Sequence, residues 1–126
     1  MIREAQMRVL QEAMWTSLIL DHIHECFPEQ CEDMGEQAAD DLAKRAMKKG
    51  RAYGFTQLSD LQQYADLVIL LGENFESTEE YAWTREILED RNPASADFRA
   101  TWLTDQVVEQ LARKPEPVRK EELVRQ

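Results

Sequence analysis

Between Met1 and Phe27 the chain contains no glycine and no proline, and it is rich in Ala, Leu, Met, Glu and Gln. Such a run favours one long helix over anything else, because these residues lose little on entering a helix and nothing interrupts them. Its apolar residues agree. Ile2, Val9 and Ala13, with Met7, Leu10, Met14 and Leu18, make a stripe at helical spacing. Trp15, Ile19 and Ile23 recur every four residues on a neighbouring face. The pattern predicts a central helix from Ile2 to about Cys26, buried on more than one side. Pro28 ends it, since the residue before a proline is disfavoured in helical geometry.

The remaining signals repeat the theme. Glu36 to Lys49 reads as a second helix, with an entry that could lie as early as Glu29 and with Gly50 as its stop. Acidic residues gather at its start and Lys44, Arg45, Lys48 and Lys49 at its end, as the helix dipole prefers. Tyr53-Gly54-Phe55-Thr56 reads as a tight connection. Thr56 or Ser59 can cap the next helix, and Ser59 with Gln62 fits a capping box. Leu58, Leu61, Tyr64, Ala65, Val68 and Leu71 form its apolar face, and Gly72 closes it. Leu67–Leu71 alone would also suit a strand, but the spacing before it decides for helix. Ser77 with Glu80 fits a second capping box, ahead of a short helix that turns Tyr81, Trp83, Ile87 and Leu88 inward. Asn92-Pro93 opens a last helix that runs to about Arg113 and buries Phe98, Trp102, Leu103, Val107 and Leu111. Pro115 and Pro117 stop it. The expected fold is all-α: a compact single-domain bundle of about five helices over residues 1–113, with a polar tail over 114–126. A length of 126 residues suits one domain with a core of its own.

Charge narrows the function. The chain holds 25 Asp and Glu against 15 Lys and Arg, a net charge of −10. Eight acidic residues and no Lys or Arg lie between Asp21 and Asp41, and seven lie between Glu73 and Asp90 with Arg85 alone against them. Such surfaces repel phosphate backbones, so direct nucleic-acid binding is not expected. They suit a basic protein partner, and Asp33, Glu36, Asp40, Asp41, Glu76, Glu79, Glu80 and Trp83 are the candidate partner-binding residues. The plainer alternative is a solvated surface that keeps the chain soluble. No apolar run approaches the length of a membrane span, and no long apolar stretch follows Arg3 as a secretory signal requires. Cys26 and Cys31 then read as reduced thiols in a cytoplasmic protein.

Chemistry is scarce. His22, His24, Cys26 and Cys31 are the one group resembling metal ligands, but on a helix His24 points away from His22 and Cys26, and no second pair completes a tetrahedral site. A Cys26–His22 nucleophile has no evident oxyanion hole. No Gly-rich phosphate loop and no Gly-x-Ser-x-Gly elbow is present. No catalytic residue, metal or cofactor is expected.

Tyr53-Gly54-Phe55-Thr56, Asp60, Tyr64, Leu67, Leu71-Gly72-Glu73-Asn74-Phe75, Trp83 and Ile87-Leu88, with the opening Ile2-Arg3-Glu4-Ala5-Gln6-Met7, resemble a family of small bacterial proteins encoded in type VI secretion gene clusters. These genes lie near spike-tip PAAR proteins and toxic effectors. The resemblance implies a non-enzymatic adaptor or chaperone that binds a secreted effector or a PAAR/spike component. Alternatives are an immunity protein that neutralises a cognate toxin, or an acidic inhibitor mimicking nucleic acid. The family supplies no catalytic residues. A homodimer is compatible with a five-helix core so rich in aromatics, which can leave an apolar patch exposed.

Overall fold

A computed structural model describes residues 3–90 and 92–113. Six α-helices follow in order among them: α1 (Arg3–Cys26), α2 (Pro28–Met34), α3 (Glu36–Ala52), α4 (Leu58–Leu71), α5 (Thr84–Glu89) and α6 (Ala96–Arg113). Single 3₁₀ turns at Phe75–Ser77 and Pro93–Ser95 lead into α5 and α6. The bundle is all-α as expected, with α2 as an extra short helix. Pro28 both ends α1 and occupies the first turn of α2, where a missing N–H costs nothing. Ile2 and the 114–126 tail lie outside the described residues.

The centre of the bundle belongs to α4 rather than to α1. Its fourteen residues carry charge only at Asp60 and Asp66, and it packs against α1, α3 and α6. Leu61, Tyr64, Ala65, Leu67 and Val68 are buried there, meeting Ile19 and Ile23 of α1, Ala43 and Met47 of α3, and Leu103 and Val107 of α6. Tyr64 sits among Tyr53, Phe55 and Phe75, each ring centroid 6.0 Å from its own.

Of the two apolar stripes on α1, the core takes one. Thr16, Ile19 and Ile23 are buried, whereas Met7, Val9, Leu10 and Met14 are 62–68% exposed and Leu18 is 42% exposed. The two stripes lie on opposite faces of α1, and α3 and α4 pack on the Thr16–Ile19–Ile23 side only. The last turn of α3 meets the middle of α1, where Arg51 pairs with Glu12 at 2.9 Å and lies 5.4 Å over the Trp15 ring. The first turns of α1 run on past that point.

Several local stops differ from the sequence reading. Helix α3 continues through Gly50, and the left-handed residue that ends it is Gly54, at φ +90°. Neither expected capping box forms. At α4 the cap position is Gln57, in extended backbone and without a side-chain cap, which leaves Ser59 inside the first turn. Ahead of α5 it is Thr78 that ties the turn, its hydroxyl donating to the Phe75 carbonyl at 2.6 Å and accepting from the Tyr81 N–H at 3.3 Å. Gly72 does close α4, at φ +102°. Asn92 caps the turn before α6, its Oδ1 accepting from the Ala94 N–H at 3.0 Å. Within α6, Phe98 is 71% exposed and Trp102 36% exposed, against the expectation that both are core. The small residues Ala96 and Ala100 let α6 approach α4 closely along the Ala96–Ala100–Leu103–Val107 line, which turns Phe98 outward.

Candidate functional site

The eight residues expected to bind a partner do not form one surface. Asp33 and Glu36 are exposed on α2 and at the start of α3. One turn on, Asp40 pairs with Lys44 at 2.9 Å and Asp41 accepts from the Gln37 amide at 3.1 Å. Glu76 is buried, accepts from the Tyr53 hydroxyl at 3.1 Å and pairs with Lys49, so it belongs to the core and not to an acidic face. Glu79 and Glu80 are exposed in the turn before α5. The acidic run is further neutralised at Glu73, whose carboxylate receives Arg45 Nε at 3.0 Å and is held below its ordinary pKa by that guanidinium. Basic residues from the second half of α3 therefore neutralise the first two acids of the Glu73–Asp90 run. Trp83 is half-buried, edge-to-face with Trp102 at 6.2 Å between centroids.

The histidine–cysteine group assembles differently from a nucleophile. His22 Nε2 lies 2.7 Å from Asp66 Oδ1 of α4, tying α1 to the bundle centre. Cys26 Sγ lies 3.9 Å from both ring nitrogens of His22. Equal distances place the sulfur off the line of either lone pair, unlike the directed bond of a thiolate–imidazolium pair. Partial desolvation of this exposed thiol, with Asp66 and Glu25 nearby, raises the Cys26 pKa and keeps it protonated. Both cysteines are free. Among the described residues no group of three His, Cys, Asp or Glu is placed to hold a metal ion, and no helix is long and apolar enough to cross a membrane.

What the fold presents instead is the outer face of α1. Met7, Leu10, Met14 and Leu18 line it, and the flanking Gln6, Gln11 and Ser17 are uncharged and exposed. Exposed apolar area of this extent, on the order of 500 Å², is at the upper end for a lone soluble chain. Beside it, α1 and α3 form a groove lined by Val9, Glu12, Ala13 and Thr16 of α1 and by Lys44, Met47, Lys48 and Arg51 of α3. Two of its three cations are already paired, Lys44 with Asp40 and Arg51 with Glu12. Sequence reasoning saw this stripe and assigned it to the core.

A buried acid shapes the opposite side of the bundle. Asp60, in the first turn of α4, is fully buried and neither carboxylate oxygen has a hydrogen-bond partner among the described residues. Burial, and then the neighbouring Asp97 carboxyl of α6, push its pKa above the ordinary 3.8, while Arg99 pulls the other way. With the folded-state pKa raised, the folded chain binds more protons than the unfolded one in the window above 3.8. Asp60 therefore favours folding most below that window, and its contribution is lost as pH rises through it. Asp60→Asn is accordingly expected to raise stability at pH 7 by about 1 kcal/mol, a gain that shrinks towards zero below about pH 4. Urea unfolding of both chains at the two pH values checks this, and an equal difference at both would count against it.

No protein-family model, curated protein or solved structure matches this chain.

Proposed function

We propose that this protein is a non-enzymatic, protein-binding accessory of the adaptor or chaperone kind, serving a bacterial type VI secretion effector module in the cytoplasm. The observation that carries the binding role is the exposed Met7–Leu10–Met14–Leu18 stripe on α1. Its partner is an amphipathic helix of the effector or spike component, laid apolar side down along α1, with an acidic flank reaching Lys48. The secretion context rests on the resemblance of the Tyr53–Phe75 region and the chain's opening. Flexible methionines suit a surface that accommodates more than one apolar sequence.

Co-expression with the effector from a neighbouring gene, followed by affinity capture, tests this. The wild-type chain is expected to hold the effector, and Leu10→Glu with Met14→Glu to weaken it at least about 100-fold, as loss of central apolar anchors does. Both side chains are exposed, so the circular dichroism spectrum should not change. Undiminished capture by the double variant would overturn the α1 surface, and no capture by wild type would overturn the role. An immunity protein is the second reading, favoured by the exposed Glu29, Glu32, Asp33 and Glu36 on α2 and at the start of α3. In that case the co-expressed toxin loses activity, whereas an adaptor leaves it active.

A further inference from the structure

The outer face of α1 is also a face that two copies of this chain can share, and charge makes it the one on which they can meet. Each copy carries a net charge of −10, so any contact between copies has to avoid adding repulsion. Between Gln6 and Leu18 the charged residues are Arg8 and Glu12. Glu12 pairs with Arg51 of α3, and Arg8 lies about 100° around the helix from Met7. Met7, Leu10, Met14 and Leu18 therefore run for about 16 Å beside Gln6, Gln11 and Ser17 with no charge among them. The exposed Phe98 and Trp102 of α6 make a second apolar face, but Glu86, Asp90 and Glu109 line it. Two copies meeting there would press those acids together.

We propose that, without effector, two copies cover this stripe with each other, α1 lying antiparallel to α1 about a two-fold axis between Leu10 and Met14, and that the effector segment competes with the second copy. The direction follows from the next acids along the face, Asp21 and Glu25, which are both exposed. A parallel pair stacks each of them on its own copy. An antiparallel pair holds the two Asp21 residues about 27 Å apart along the helices, well beyond the screening length of about 10 Å in 0.1 M salt. It also sets Leu10 of one copy against Met14 of the other and Met7 against Leu18, so that apolar side chains meet along the whole stripe.

The area sets the strength. About 500 Å² on each copy gives about 1,000 Å² in total, the lower end for a specific interface. Such a dimer is weak and exchanges readily, with a dissociation constant on the order of 10 μM. That suits a cover for the stripe: it keeps Met7, Leu10 and Met14 from other apolar surfaces, yet yields to a segment that adds contacts of its own. The competition rests on the effector-binding reading, whereas the dimer rests on the α1 face alone.

Sedimentation equilibrium of the full chain alone, from about 1 μM to 1 mM, tests the dimer. The wild type is expected to pass from monomer to dimer, Leu10→Glu with Met14→Glu to weaken the dimer at least about 100-fold, and Phe98→Glu to leave it unchanged. Raising the salt from about 0.1 to 1 M is expected to tighten it, because the two acidic bodies are then screened from each other. A wild type that stays monomeric throughout would overturn the proposal, as would a dimer that weakens with salt or one lost in Phe98→Glu but kept in the double variant. Orientation is read by oxidising a mixture of Met7→Cys and Leu18→Cys chains, each with the exposed Cys26 replaced by Ser. The mixed disulfide is expected to dominate, and Leu18→Cys chains linked to each other would show a parallel pair instead. A monomeric wild type that still captures the effector removes the dimer alone, and a dimer that captures nothing removes the effector role alone.

Discussion

Replacing Arg99 with Ala is expected to lower the stability of the fold by about 3–5 kcal/mol, the cost of removing one member of a buried charged network. Arg99 is 4% exposed. Its Nη2 donates to the carbonyls of Tyr53 and Asn92, both at 3.0 Å, and its Nη1 to those of Ile87 at 3.2 Å and Leu88 at 3.3 Å. Nε donates to the Ser95 hydroxyl at 2.9 Å, and the guanidinium carbon lies 5.0 Å over the Phe55 ring. One side chain thus closes the open carbonyls at the end of α5, the turn that caps α6 and the α3–α4 connection. Truncation leaves those carbonyls buried without donors. A loss of this size is a large share of the stability of an ordinary domain. Arg99→Lys is expected to recover little, since a single ammonium cannot serve acceptors arranged around a planar fork. Urea midpoints of the three chains decide it, and a shift under about 1 kcal/mol for Ala would show that the network is dispensable.

Gly50 gives the second large effect, and its sign separates two readings of one residue. An ideal Cβ at Gly50 would lie 2.7 Å from Leu61 Cδ2 and 3.4 Å from Tyr64 Cδ2. Leu61 is fully buried, so its methyl can yield only by pressing into the core. Gly50→Ala combines that overpacking, about 1–3 kcal/mol, with a gain of about 1 kcal/mol from helix propensity, and a net loss is expected. Gly50→Val adds bulk without that gain and is expected to cost about 3 kcal/mol or more. Were Gly50 a left-handed helix stop, Asn would be the best-tolerated replacement. Since the left-handed stop is Gly54, Gly50→Asn is expected to be worse than Gly50→Ala. The order of thermal midpoints reads this out directly, and Asn above Ala would return Gly50 to the role of a stop.

The sequence alone determined the helical class and most of the helix boundaries. Long runs without glycine or proline leave only helices to satisfy the backbone, and Pro28, Gly72 and Asn92-Pro93 act through φ restriction and missing donors that operate within a few residues. It also exposed the apolar stripes, because periodicity is a property of the helix itself. The capping boxes show the limit of that locality: Ser59 and Ser77 satisfy the pattern, yet the chain enters α4 from Gln57 and turns at Thr78.

Only the tertiary structure decided which stripe meets a neighbour. Met7, Leu10 and Met14 are as apolar as Ile19 and Ile23, and what leaves them in water is that α3 and α4 pack on the opposite face of α1. Distance in the sequence hid the rest in the same way. Arg45 and Lys49 neutralise Glu73 and Glu76 across more than twenty intervening residues, and Arg99 gathers carbonyls from three separate connections. Periodicity states that a face is apolar, and charge counting states how many ions a segment carries. Whether that face or ion ends in the core, in a pair or in solvent depends on where the other helices lie, and their packing alone fixes that.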